Sequence, residues 1–220
     1  MKNKIFLMLA TLFAILAVPA LSAEMQKAEM DEYEMSPCLN SSQEELVHEM
    51  RMLWEDHIVW TRMFIISVAE NLSDTDAVTA RLLQNYEDME ESFVPYYGEN
   101  TSMQYGALLE DHLLIAADLV KAAKAGNATG AAEAEMRWYQ NADDIAMFLN
   151  QTNPYWDLDE TQMMWHDHLN LTKQEAVARL TKDYESDIAA YDMIHEQAMM
   201  MADELAWGIA EQFPDKFSKC

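Results

Sequence analysis

Apolar positions recur at intervals of three and four along most of the chain. Leu46, Met50, Leu53, Trp54, His57, Trp60, Thr61, Phe64, Ile65 and Val68 trace one face of a long helix. Ser41-Ser42-Gln43-Glu44-Glu45 precedes it as a capping box, and Asn71-Leu72-Ser73-Asp74 breaks it. A second helix is expected to run to about Ser92, ended by Pro95-Tyr96-Tyr97-Gly98. The third, capped by Thr101-Ser102-Met103-Gln104, carries Leu108, Leu109, His112, Ile115, Ala116, Leu119 and Val120 inward and stops at Gly126-Asn127. The fourth spans about 130–149 and ends at Asn153-Pro154. Asp157-Leu158-Asp159-Glu160 caps the fifth, with Met164, Trp165, His168, Leu171 and Thr172 inward. A break between Thr172 and Asp183 leads to a sixth helix that ends before Pro214. The pattern predicts an all-α, antiparallel up-and-down helical bundle of three helical hairpins.

One phrase is said three times. Trp54-Glu55-Asp56-His57-Ile58 returns as Leu109-Glu110-Asp111-His112-Leu113 and as Trp165-His166-Asp167-His168-Leu169, placing the histidines 55 and 56 residues apart. Such a period marks repeated supersecondary units. The second helices repeat as well: Arg81, Asn85 and Asp88 answer to Arg137, Asn141 and Asp144. Arg179, Asp183 and Asp187 read as a third, compressed copy. Positions i, i+4 and i+7 share a helix face, so each set forms one polar stripe that can meet a histidine of its own or the next hairpin.

Composition and charge narrow the setting. Few glycines and prolines favour helices over sheets. A net charge of −25 argues against nucleic acid or an anionic membrane surface as partner. Met1-Lys2-Asn3-Lys4, an apolar run from Ile5 to Val18, and Pro19-Ala20-Leu21-Ser22-Ala23 read as a signal peptide over residues 1–23. The chain is therefore expected to be exported and extracytoplasmic, with a flexible lead-in at 24–40 and the bundle at 41–217. No later stretch is apolar for long enough to span a membrane. Neither charge nor pattern fixes an oligomeric state. Cys38 and Cys220 are the two cysteines and stand as a possible disulfide in an oxidising compartment. Asn40, Asn71, Asn100, Asn127 and Asn150 each begin an Asn-x-Ser/Thr triplet outside or at the ends of helices, positions where a glycan fits. Helix-capping preferences write the same triplet without any glycan.

Inward imidazole and carboxylate groups from neighbouring helices are how bundles build metal sites. His57, His112 and His168 with Asp88 and Asp144 are the candidate ligands, suited to a divalent ion. His195 and Met199, at i and i+4 on the sixth helix, offer a softer pair suited to copper. The competing reading is a structural polar network of Arg81, Asn85, Arg137, Asn141, Arg179, Asp183 and Asp187 that fixes hairpin register. The chain would then be a structural or surface-interaction protein. No nucleophile triad, phosphate loop, Cys-x-x-Cys or haem motif occurs, so the expected role is binding rather than catalysis.

Trp54-x-x-His57-x-x-Trp60-Thr61-Arg62, His168-Leu169-x-Leu171-Thr172-Lys173 and the ending Met201-Ala202-Asp203 through Gln212-Phe213-Pro214-Asp215-Lys216-Phe217 resemble small helical proteins of spore-forming bacteria. The resemblance covers roughly 45–217 and implies one helical domain but no activity. Met193-Ile194-His195-Glu196-Gln197-Ala198-Met199 is similar, over a short stretch, to the His/Met helix of ferritin-like exported domains. A di-iron oxidase needs Glu and Glu-x-x-His paired on two core helices, and the one clean Glu-x-x-His, Glu45-Leu46-Val47-His48, sits at a helix start.

Overall fold

A computed structural model describes residues 41–217. The expected signal peptide, the lead-in at 24–40, Asn40, Cys38 and Cys220 lie outside the described residues. Six α-helices follow one another: α1 (Ser41–Glu70), α2 (Thr75–Tyr97), α3 (Glu99–Lys124), α4 (Ala128–Thr152), α5 (Leu158–Thr181) and α6 (Tyr184–Gln212). A 3-10 turn at Pro214–Lys216 ends the described chain. No helix among the described residues is long and apolar enough to cross a membrane.

The joints explain the topology. Asn71, at φ 53°, takes the left-handed conformation that stops α1. Between α2 and α3 the chain reverses at Gly98 alone, whose φ of 75° favours glycine. This corrects two expected boundaries. Pro95 does not end α2 but sits in its last turn, where it forgoes the bond that a residue there would donate to the Glu91 carbonyl, and the helix stops two residues later. Likewise α3 starts at Glu99 rather than at a Thr101 cap, and the Ser102 hydroxyl donates back to the Gly98 carbonyl at 3.0 Å. Asp157 caps α5 as expected, accepting from the N–H groups of Asp159 and Glu160 at 2.9 and 3.1 Å. The α5–α6 break falls at Lys182, at φ 64°, and Asp183 caps α6 by accepting from Ser186.

Consecutive helices joined by so few residues pack antiparallel, and α6 packs along α1 as closely as along α5. The six helices thus form a closed ring, with α1, α3 and α5 running one way and α2, α4 and α6 the other. Apolar stripes fill its interior. One end holds the aromatic core: Phe93 stacks on Tyr105 at 4.2 Å between centroids and on Trp156 at 5.9 Å. Trp156 donates its indole N–H to the Glu204 carbonyl at 3.1 Å. Gly208 makes room for that ring, since a Cβ there would fall 1.9 Å from Trp156 Nε1. The other end is lined by small and aliphatic residues, among them Ile65, Leu82, Leu113, Ala117, Val120 and Ala176.

Candidate metal centre

Each odd-numbered helix carries one histidine inward at the same level. His57, His112 and His168 are 4%, 1% and 2% exposed, and their ring centroids lie 5.4, 6.1 and 6.2 Å apart. One nitrogen from each ring lies within 4.8 Å of the other two. Trp54, Trp138 and Trp165 surround them, with Trp165 edge-on to His112 at 5.1 Å and Trp138 beside it at 5.4 Å.

The same three-part clasp holds every ring. His57 Nδ1 meets Asn85 Oδ1 at 3.0 Å, His112 Nδ1 meets Asn141 Oδ1 at 3.1 Å, and His168 Nδ1 meets Gln197 Oε1 at 3.2 Å. Each amide in turn donates its NH2 to a backbone carbonyl, of Leu53, Leu108 and Met164 respectively, at 2.9, 3.0 and 2.9 Å. Each of those carbonyls belongs to the residue four before its histidine, so the amide spans one turn of the facing helix.

This fixes the tautomer. An amide whose NH2 is committed to a carbonyl can offer only its oxygen to the ring, so Nδ1 carries the hydrogen. Nε2 is then the nitrogen left with a free lone pair. Metal-bound histidines are held in this way, with the second ring nitrogen donating to a fixed acceptor. Burial keeps the rings neutral: it pushes His57 down to about 4. His168 goes down to about 3 by burial and by its neighbour His57, and His112 is also held well below its ordinary value by burial and the other two rings.

The expected carboxylate ligands are not part of this cluster. Asp88 is exposed, and Asp144 is half-buried and accepts from Gln140 at 3.0 Å. The physical reason is local: the Asn three positions earlier stands level with the histidine, and the Asp, nearly a turn further along at the edge of that face, is left at the surface. Nor do His195 and Met199 form a site. His195 Nε2 pairs with Glu55 at 2.9 Å on the half-exposed surface, while Met199 packs against the core.

The polar residues divide in two. Asn85 and Asn141 turn inward as clasps, whereas Arg81 and Arg137 turn outward to Asp56 and Asp118 at 2.6 and 3.0 Å. The third copy needs correction. Asp183 is a helix cap, and its carboxylate is held low by hydrogen bonds from Ser186. Asp187 is buried in an ion cluster, 2.8 Å from Arg62 and 3.3 Å from Arg179. The true third clasp is Gln197, which sequence reasoning missed. A signal for it existed: His57–Asn85, His112–Asn141 and His168–Gln197 are separated by 28, 29 and 29 residues. The third hairpin is therefore not compressed.

Of the candidate glycan positions, Asn71, Asn100 and Asn127 are exposed. Asn127 caps α4 by accepting from Gly130, and Asn150 commits its amide nitrogen to the Trp156 carbonyl at 2.8 Å. His48 is exposed and His166 bonds Asp143 at 2.8 Å, away from the triad. No family profile, curated protein sequence or solved structure matches the chain.

Proposed function

We propose that this bundle binds one divalent transition-metal ion through Nε2 of His57, His112 and His168, with zinc or copper the best-suited class. The observation that supports it most is the buried triad, in which one nitrogen of each ring lies within 4.8 Å of the other two and the clasp occupies Nδ1. Around a tetrahedral zinc, with bonds of about 2.0–2.1 Å, ligand nitrogens stand about 3.3 Å apart. One nitrogen of each ring lies within 4.8 Å of the other two, so binding would draw them together by up to about 1.5 Å. Three nitrogen ligands without a carboxylate also suit imidazole-preferring ions over magnesium or calcium. The role is binding, in an extracytoplasmic setting inferred from residues 1–23, on a scaffold whose three like hairpins fit descent by duplication.

The rival reading keeps the triad as a polar layer that sets hairpin register. It is favoured by the hydrogen bond that already satisfies each Nδ1 and by the tryptophan contacts around the rings. Metal titration separates the two. Chelator-stripped full-length protein, titrated with Zn2+, Cu2+, Co2+ and Mn2+, is expected to bind one equivalent and to gain thermal stability as metal rises above Kd. His112→Phe should abolish the gain while retaining the fold. A wild-type protein that shows neither stoichiometric binding nor a metal-dependent melting shift would reduce the triad to packing.

A further inference from the structure

Directly beyond the triad, towards the C-terminal ends of α1, α3 and α5, the ring is hollow. A cavity of about 170 Å³ is lined by Phe64, Leu82, Leu113, Ala117, Val120 and Ala176, among others. Its wall also includes Thr61, Ala116 and Thr172, which stand one helical turn after His57, His112 and His168. Trp138 completes the link, since it lines the cavity and packs on the His112 ring at 5.4 Å. Lys173 and Glu135 also line it, pair with one another and are half-exposed, which puts the mouth between α4 and α5. On the opposite side of the triad, towards Trp156, only a gap of about 10 Å³ is left. The larger of the two spaces that flank the triad is therefore the cavity, whose wall begins one helical turn from the rings.

Two further observations define what fits. The wall is almost wholly apolar, and a cavity of about 150 Å³ with such a lining is large enough for benzene and stays dry when empty. The centre, however, needs charge. Three neutral imidazoles leave a bound divalent ion with its full charge in a buried site, a costly arrangement without an opposing ion. Among the described residues no carboxylate joins the triad. Of the acids beside His57, Asp56 pairs with Arg81 and Glu55 with His195, and Asp111 and Asp167, next to the other two histidines, are exposed. The fourth position is then where negative charge can enter, as hydroxide from a bound water or as an anionic head group.

We infer that the cavity receives a small apolar molecule, of about the size of a benzene ring, that ends in an anionic head and ligates the metal through it. A thiolate or carboxylate is the head-group class. This rests on the metal reading above, while the chamber itself does not depend on it. Two polar groups of the wall carry no hydrogen-bond partner, the Thr61 hydroxyl and the Trp138 indole N–H. Both belong to residues within a turn of the triad level, where the head group would arrive.

The test uses full-length protein and three probes. Benzene added to metal-free protein is expected to raise the melting temperature and to shift the methyl NMR signals of Leu82, Leu113 and Val120. Benzenethiol added to Co2+-loaded protein should produce a sulfur-to-cobalt charge-transfer band, with affinity at least tenfold above that for metal-free protein. Methanethiol, which has the head but not the body, should bind at least tenfold more weakly. Ala117→Phe, which fills the chamber, should remove the benzenethiol band yet leave Co2+ binding intact, and Ala117→Leu offers a milder filling should the larger ring prevent folding. A metal-free protein indifferent to benzene overturns the chamber, as does a methanethiol affinity equal to that of benzenethiol. Wild-type protein that fails to bind Co2+ overturns the head-group assignment through the metal reading, and the benzene result then still stands or falls by itself.

Discussion

The two halves of the ring are built on opposite plans. Below the histidines, Trp54, Phe93, Tyr105, Trp156 and Trp165 are all about 1% exposed and fill the interior. Above them, alanines and short aliphatic side chains leave a chamber of about 170 Å³. Aromatic volume gives one half close packing, and dense contact is what makes interiors rigid. The hollow half is braced differently. Arg62 bonds both Glu175 and Asp187, and Arg179 reaches Asp187 and Glu70, tying α1, α5 and α6 together beside the cavity. Glu175 in that brace is buried and is pushed up to about 7, its burial outweighing the nearby Arg62. The contrast teaches that the empty volume is a property of chosen small residues held apart by a charged strut, next to a floor that cannot yield.

Acid should expose the difference most strongly. The triad rings are depressed to about 4 for His57 and about 3 for His168, against 6.5 when unfolded. Their contribution is complete above pH 6.5 and is lost as pH falls towards the folded values, because the unfolded chain then takes up more protons. His57 alone should lose about 1.4 kcal/mol for each pH unit between 6.5 and about 4. Glu175, raised in the folded state, works the other way: its burial costs stability above pH 4.5 and the cost fades as pH falls from about 7. Urea titrations from pH 7.5 to 4.5 should show a net fall of several kcal/mol, steeper in Glu175→Gln, where the opposing contribution is gone. A flat profile would mean that the rings are wetter than their burial implies.

Next in size is the floor itself. Trp156→Ala should cost about 3–5 kcal/mol in urea denaturation, since the aromatic floor has no slack. Val120→Ala, which only widens an existing hollow, should cost roughly 1–2 kcal/mol. Equal losses would erase the distinction between the halves. Gly208→Ala drives a methyl against the fixed Trp156 ring and is expected to cost about 1–3 kcal/mol. Gly106→Ala meets the Glu90 carboxylate, which can swing away, and also Glu90 Cβ at 3.0 Å, which moves only with its backbone, so the gain in helix propensity is offset and the net change should stay within about 1 kcal/mol. Smallest of all, breaking the exposed Arg137–Asp118 pair should change stability by less than about 1 kcal/mol, as thermal melts of Arg137→Ala would register.

Six helices and the inward histidines were legible because three-four periodicity is written by burial, and burial decides both. The clasp was half legible. Asn85 and Asn141 recur at matching places in the second helices, but Gln197 sits between His195 and a methionine run that draws the eye to sulfur chemistry. The glutamine makes the same pair of bonds as the asparagines, at 3.2 and 2.9 Å, and one residue type does not announce its equivalence to another. Asp88 and Asp144 misled for a complementary reason. Carboxylates at helical spacing are abundant in a chain of net charge −25, so spacing alone could not tell a ligand from a solvated face. The chamber left no trace in the pattern, since alanines at 116, 117 and 176 read as close packing as readily as they read as space.

Ring closure has a consequence in time. The clasps for His57 and His112 come from helices that follow them at once, but the ring is sealed only when α6 reaches back to α1. Arg51 and Asp203, 152 residues apart, pair across that seam at 2.6 Å. The same last helix delivers Gln197, the third clasp. On a chain that emerges from its first residue onward, two rings are oriented early and the third waits for the final strut. Assembly of the centre and completion of the fold are then one event, and an unfinished molecule carries an unfinished trap.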